Sequence, residues 1–591
     1  MTAALFRALP EGRDMNVQIV GSGPAVEAVE AALSDVDATA ESGRPADLEA
    51  ADVGVVVAPV ADDAFEAANE ASLAGDTPWL SVELGGVGGV RVPEVDAAVS
   101  GLDPEAGCFD CLRQRVAANA TDVLDEPSPP EDSVARYAGA IAGHAVATLA
   151  RGGEGPLGRV TEVPYAERRF LPVPGCSCGE TPDRRLSREY EAVDLETAVE
   201  RAERTLDDRV GIVQSIGEVE SFPAPYYLAT GSDTAGFSDA SAPRQAGGVH
   251  ADWNAAFMKA MGEALERYSA GVYRASTYRT APPSAIENGP GPDVVRPDAF
   301  VRPDDFPPVD EGDPLHWVPG ADLATGDEAL LPAELVHYPP PAERHVPAIT
   351  TGLGLGTSPV GALLSGLYEV VERDATMLAW YSTFDPLPLA VDDEEFETLA
   401  RRARAEDLSV TPLLVTQDVD VPVVAAAVHR DGEWPRFAVG SAADLDPVAA
   451  ARDALAEALQ NWMELRGMGE AAAAEESGAI GRYADFPREA REFVDGDGAV
   501  PADSVGSDDP PAGADELDAL VRRVRAVDLR PYAARLTPRD VERAGFEAVR
   551  VLVPGAQPLF TDDPFFGDRA RSVPSSLGFE PRLDRSFHPY P

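Results

Sequence analysis

Lysine is almost missing from this chain. Among 591 residues there is one, Lys259; the other basic residues are arginine, and 102 acidic residues outnumber the 48 basic ones to give a formal net charge of −54. Such an excess of one sign destabilises a compact fold through self-repulsion. Molar salt shortens the reach of that repulsion to roughly 3 Å. The expectation is a protein of a salt-filled cytosol, that of an extreme halophile, rather than one shaped to hold a basic partner. Nonspecific nucleic-acid binding, which rests on neutralising phosphates with cations, is not expected. Long apolar runs are also missing. No stretch reaches the ~20 residues of a membrane span, and the first residues lack a signal-peptide core, so a cytoplasmic protein with no membrane partner is expected. Cysteine is scarce: the four are Cys108, Cys111, Cys176 and Cys178, which does not suit a disulfide scaffold in a large cytosolic chain.

What is there begins with alternating strands and helices. MNVQIV (15–20) reads as a strand, GSGPAVEAVEAAL as a turn into a helix, VGVVVAP (53–59) as a second strand and 79–84 as a third. That alternation predicts a parallel α/β, Rossmann-like region. Gly21-Ser22-Gly23 sits where a dinucleotide fingerprint would, but Val26 holds the third glycine position. A tight turn and a nucleotide loop both remain open readings. The proline-rich stretch 121–133 predicts a loop, followed by a helix from Ala135. Turn-rich FLPVPGCSCGETPDRR closes the first region. Two domains are expected, 1–180 and 190–591, the second interrupted by Pro/Asp-rich insertions at 281–314 and 495–515.

The cysteines fall into two close pairs, Cys108-x-x-Cys111 and Cys176-x-Cys178. Two such turns could supply a closed tetrahedral sulfur shell for structural zinc. Unrelated buried thiols, or Cys-x-x-Cys redox chemistry, are the alternatives.

Three predicted helices carry carboxylates inside apolar stripes. The helix 254–273 holds Glu263, Glu266 and Arg267; the helix 359–381 repeats the pattern with Glu369, Glu372 and Arg373; the helix 447–465 holds Glu457 and Gln460. Carboxylates three apart share a helix face. Set in an apolar stripe, they need protons, arginines or metal ions. Converging on Mg2+, a hard ion that takes oxygen ligands and bridges phosphates, is one resolution; salt-adapted structural helices are the other. Glu200-Arg-Ala-Glu203-Arg204 matches the same pattern in a charge-rich helix and reads as a solvated face, so the pentamer alone is not specific. Glycine-rich AGGVH (246–250) and TTGLGLGT (350–357) precede the first two helices and could offer backbone N–H groups to phosphate. Lys259, four residues before Glu263, reads either as an i,i+4 ion pair or as a phosphate contact.

In chain order, GEALERYS, TTGLGLGTSPVGALLSGLYEVVERDA, ALAEALQ and AGFEAVRVLVPGAQPL resemble the YcaO family over roughly 190–591. GCFDCLRQRVAAN with LPVPGCSCG resembles the zinc-binding E1-like domain fused to YcaO in azoline-forming cyclodehydratases, over roughly 15–180. The resemblance implies an α+β ATP-binding domain with an internal repeat behind an E1-type domain. It implies an enzyme that uses ATP and Mg2+ to phosphorylate the oxyanion formed when a nucleophile attacks a peptide carbonyl. Azoline-forming cyclodehydration is favoured over thioamidation because of the E1-like fusion, and a non-catalytic peptide-binding scaffold is the alternative. By the same resemblance Lys259, Glu263, Glu266, Arg267, Glu369, Glu372, Arg373, Arg452, Glu457 and Gln460 would line the Mg-ATP site. The ending His588-Pro589-Tyr590-Pro591 would reach the reacting centre, with Pro591 as the catalytic terminus. The partners implied are a peptide or protein substrate and a separate peptide-recognition or sulfur-donor protein, with a homodimer left open. The chain departs from the family at Val249, where a loop lysine is usual, at Thr357 and Gly361, and at Asp453, where an arginine is usual with Arg452 adjacent here.

Overall fold

The computed structural model describes residues 15–120, 130–151, 155–164, 166–179, 183–287, 291–341, 345–475, 479–496, 498–507 and 509–591. The proline-rich loop expected over 121–133 lies outside the described residues at 121–129; Asp132 and Ser133 are already helical. Among the described residues, no helix is long and apolar enough to cross a membrane. The chain forms two compact units. One comprises residues up to 182 with 204–215 and 232–238, and the other 183–203, 216–231 and 239–591.

The first unit is built on one seven-stranded sheet. Its elements are β1 (Met15–Val20), α1 (Pro24–Leu33), β2 (Ala38–Ser42), β3 (Val53–Pro59), α2 (Ala64–Gly75), β4 (Trp79–Leu84), β5 (Ala97–Leu102), α3 (Phe109–Asn119), α4 (Asp132–Ala150), β6 (Arg159–Val163) and β7 (Ala166–Arg169). The strand order is β2-β1-β3-β4-β5-β6-β7. The first four strands pair in parallel and the last three join antiparallel. β3 is buried almost end to end, as an unbroken Val/Ala run in a sheet covered on both faces should be. The Gly21-Ser22-Gly23 turn is tight: Gly21 has φ 121°, and a Cβ there would meet the Val57 carbonyl oxygen at 2.3 Å. Backbone sterics therefore explain this glycine without a ligand.

The second unit holds three further sheets, and one motif recurs at the end strand of each. β8 (Gln245–Val249) leads into α5 (Trp253–Gly271), β9 (Leu353–Gly356) into α6 (Pro359–Trp380), and β10 (Phe437–Ala443) into α7 (Pro447–Met468). β8 terminates a three-stranded sheet, β9 the sheet containing Tyr532–Arg535 and Glu547–Leu552, and β10 a five-stranded sheet. Each helix starts on a side-chain cap: Asp252 accepts from the Ala255 N–H, Ser358 from Gly361 and Asp446 from Val448. Such caps are typically worth about 1 kcal/mol each. Pro359 and Pro447 add a preset first turn to α6 and α7. Each helix then lies hard on its own strand at a glycine. A Cβ at Gly248, Gly354 or Gly440 would sit 2.2–2.5 Å from helix backbone atoms, so only glycine permits the crossing. Each helix also reaches the next strand in the set: α5 touches β9, α6 touches β10 and α7 touches β8. The three strand–helix units close into a ring, the structural form of the internal repeat.

Candidate active site

The carboxylates lie where the three units meet, and each unit holds its first glutamate in the same way. Glu263 Oε2 accepts the Gly247 N–H at 2.9 Å, Glu369 Oε2 the Gly352 N–H at 2.9 Å, and Glu457 Oε2 the Ser441 N–H at 2.8 Å. A backbone amide in or just before the strand thus aims each carboxylate from 16 or 17 residues upstream. The second position of each unit is three residues on: Glu266, Glu372 and Gln460. Glu372 accepts the Ser441 hydroxyl at 2.7 Å, which ties α6 to β10. Gln460 Nε2 lies 2.9 Å from the point where a Gly247 Cβ would stand, which ties α7 to β8.

This crowding has an electrostatic cost. Burial, reinforced by the charge of Glu369, pushes Glu266 up to about 8. Burial also pushes Glu372 up to about 8, with Arg373 opposing and Glu457 reinforcing the shift. Burial raises Glu457 as well, against the pull of Arg373. The cations present do not close the account. Arg267 donates to Glu263 at 3.0 Å, and Arg373 Nε lies 3.6 Å from Glu372 and 3.9 Å from Glu369. Arg550, buried on the strand Glu547–Leu552, donates to the Thr350 and Ile349 carbonyls at 2.8 and 2.9 Å. Burial lowers it to about 10, against Glu369 and Glu266. Among the described residues, the Nε–H groups of Arg267 and Arg550 are buried with no hydrogen-bond partner. Five carboxylates against three guanidiniums leave two negative charges when all are ionised, and two N–H donors wait for an acceptor. Oxygen donors short of positive charge fit Mg2+, and unpaired guanidinium N–H groups fit phosphate oxygens.

Eight of the sequence-expected residues therefore come together: Glu263, Glu266, Arg267, Glu369, Glu372, Arg373, Glu457 and Gln460. Lys259 does not pair with Glu263; its Nζ lies 2.7 Å from Asp453 across to α7, at the exposed rim. Arg452 is turned away into a two-pronged contact with Asp393, 2.8 Å at each nitrogen. Pro591 lies close, its carbonyl oxygen 3.4 Å from Arg373 Nη1. At the departures, Val249 is buried and His250 Nε2 faces Glu395 at 3.2 Å. The look-alike Glu200 and Glu203 are exposed on the helix Leu195–Glu203. Sequence reasoning missed Arg550 and Ser441. A charge inside the apolar strand run EAVRVLVP was the available signal for Arg550. Ser441, at the upstream spacing held by Gly247, had none because its strand carries a single glycine.

The four cysteines meet in the first unit, their sulfurs all within 4.8 Å of one another. Cys108–Cys176 is 3.5 Å, Cys111–Cys178 3.4 Å and Cys108–Cys111 3.9 Å. A tetrahedral Zn–S distance of about 2.3 Å requires sulfurs roughly 3.8 Å apart, so the set fits zinc. The Val173 N–H donates to Cys111 Sγ at 3.3 Å, support for a thiolate.

The family described as YcaO cyclodehydratase, ATP- and Mg2+-binding, matches residues 247–557. An uncharacterized protein of Methanothermobacter thermautotrophicus is 28% identical over 326 residues, which cover 53% of this chain and 82% of that protein. A heterocyclase solved in complex with substrate and cofactor has a TM-score of 0.71 at 19% identity, covering 96% of this chain and 83% of that one. The heterocyclase TruD has a TM-score of 0.63 at 18% identity, covering 96% of this chain and 82% of that one. Their likeness spans both units and is one of fold.

Proposed function

This chain belongs to the YcaO cyclodehydratase family, and from that premise we propose that it is an ATP-dependent enzyme that modifies peptide backbone amides through phosphorylation of the amide oxygen. The observation that carries the reading is the under-neutralised cluster of Glu263, Glu266, Glu369, Glu372 and Glu457, with the unpaired N–H groups of Arg267 and Arg550 beside it. The glutamates and the Gln460 carbonyl would hold Mg2+; Arg267, Arg373 and Arg550 would meet phosphate oxygens. Bound there, Mg-ATP supplies neutralising charge and a transferable γ-phosphoryl group. The backbone N–H groups of Gly247, Gly352 and Ser441 hold the three first glutamates in place. Arg373 faces Glu369 and Glu372 of its own helix.

Azoline formation is favoured over thioamidation. A side-chain hydroxyl or thiol gives up its proton and adds to the carbonyl carbon, the oxyanion takes the γ-phosphoryl group with ADP leaving, and loss of phosphate together with the amide N–H proton closes the C=N bond. The amide oxygen thus departs in the phosphate, and Pro591, beside Arg373, would stand near the reacting centre. The E1-like domain, 1–180, would be pinned by zinc through Cys108, Cys111, Cys176 and Cys178, apart from the chemistry of 190–591.

A scaffold reading also has specific support: Arg452 is engaged by Asp393, and buried Val249 stands where the family resemblance implies a loop lysine. Calorimetry in molar KCl separates the two. The wild type is expected to bind Mg-ATP and Glu372→Gln to abolish binding; a wild type without nucleotide affinity leaves the scaffold. With a candidate peptide, loss of one water marks azoline, and sulfur in place of oxygen marks thioamide.

A further inference from the structure

The third strand–helix unit breaks the pattern of the other two at its second ligand position. Glu266 and Glu372 offer oxygen whichever way the side chain turns. Gln460 does not: one end of its amide is a carbonyl oxygen and the other an NH2 that a metal ion repels. Four residues further along, the first two units carry Ala270 and Thr376, and the third carries Glu464. Glu464 Oε1 accepts from Gln460 Nε2 at 3.0 Å. The same oxygen accepts the Tyr226 hydroxyl at 3.0 Å, from the strand Tyr226–Gly231 beside β8. A carboxylate only accepts, so it captures the NH2 end and leaves Gln460 Oε1 for the cluster. The tyrosine in turn fixes the carboxylate. Gly247, without a side chain, leaves room for the amide.

We propose that Glu464, held by Tyr226, is a positioning residue that locks the Gln460 amide with its oxygen toward the divalent cation. The lock is needed in the one unit whose second ligand position carries an amide. This inference rests on the Mg-nucleotide reading of the cluster.

The test is the Mg2+ concentration needed for half-maximal ATP binding by the full chain in molar KCl, read by calorimetry at fixed ATP, with the melting temperature measured alongside. Glu464→Gln, which can donate as well as accept, is expected to raise the Mg2+ requirement by about tenfold, the scale of outer-shell effects on metal affinity. Its melting temperature should stay near wild type. Tyr226→Phe should shift the requirement the same way by less. The double variant Gln460→Glu with Glu464→Gln offers oxygen in either orientation and should recover the wild-type Mg2+ requirement. An unchanged Mg2+ requirement in Glu464→Gln, or a double variant no better than the single, overturns the lock alone. A wild type that takes up no Mg-ATP overturns the nucleotide reading, and the lock with it.

Discussion

A glutamate pushed up to about 8 by burial sits uneasily at neutral pH, because the burial that would serve a cation works against the charged carboxylate in the fold itself. Glu266 and Glu372 are both in that condition. Their pKa in the folded chain lies above the unfolded value of 4.5, so the folded state binds the extra protons. Their contribution to stability is therefore full below about pH 4.5 and is lost as pH climbs to about 8, at up to about 1.4 kcal/mol per pH unit for each group. Glu266→Gln and Glu372→Gln remove that loss. Without nucleotide, both variants should melt above the wild type at pH 8.5 and close to it at pH 5, by thermal scans in molar KCl. The same Glu372→Gln should abolish Mg-ATP binding, so it trades function for stability. A variant less stable than the wild type at pH 8.5 would mark Glu372 as a structural ion-pair partner instead.

At the scale of elements, α5, α6 and α7 were legible in the sequence nearly to their ends. Their apolar periodicity, caps and prolines all point one way, and a carboxylate breaking an apolar stripe is a local signal. The ring they form was not legible, because closure depends on which strand ends lie side by side. Arg452 shows the limit of reading by adjacency. It stands five residues before Glu457, about 140° around a helix of 3.6 residues per turn, and so points to Asp393. Asp453, four residues before, shares the face and meets Lys259. In the first unit, β2 went unread because ATAES is polar and mostly exposed at the sheet edge. β5 went unread because its pairing is set by partners well separated in the chain; β6 and β7, a local hairpin with Glu162 opposite Ala166, also went unread. The cysteine pairs were legible as pairs, and the expectation that the two pairs meet in one four-sulfur set is met, with all four sulfurs within 4.8 Å of one another. If zinc closes them, it pins the start of α3 to 173–178, and purified protein should carry about one zinc per chain by metal analysis. Stripping it with a chelator should lower the melting transition of the first unit, and Cys111→Ser should do the same. A metal-free sample with an undiminished transition would leave four packed thiols and no clip.

Across the whole molecule the question is how a chain with 102 acidic and 48 basic residues stays compact. Many of the ion pairs among the described residues are exposed, such as Arg113–Glu66, Arg404–Glu397 and Arg488–Glu492, and pairs of that kind are worth about 0–1 kcal/mol. They cannot offset the self-repulsion, so the solvent must. At about 1 M salt the screening length is roughly 3 Å; at about 0.1 M it is roughly 10 Å, long enough for surface carboxylates to repel neighbours beyond contact. Lowering KCl across that range should cost several kcal/mol, a fall in melting temperature on the order of 10 °C. Sucrose strengthens burial without screening charge, so it should restore little of the loss, whereas NaCl should restore most of it. The carboxylates inside the ring of helices are more buried than the surface ones, and on the proposed reading they would respond to a bound cation. Millimolar Mg2+ with ATP should therefore raise the melting temperature at either salt concentration, by an amount set by nucleotide affinity. Melting that ignores KCl, or that sucrose repairs as well as NaCl does, would show that the acidic surface is not what ties this fold to salt.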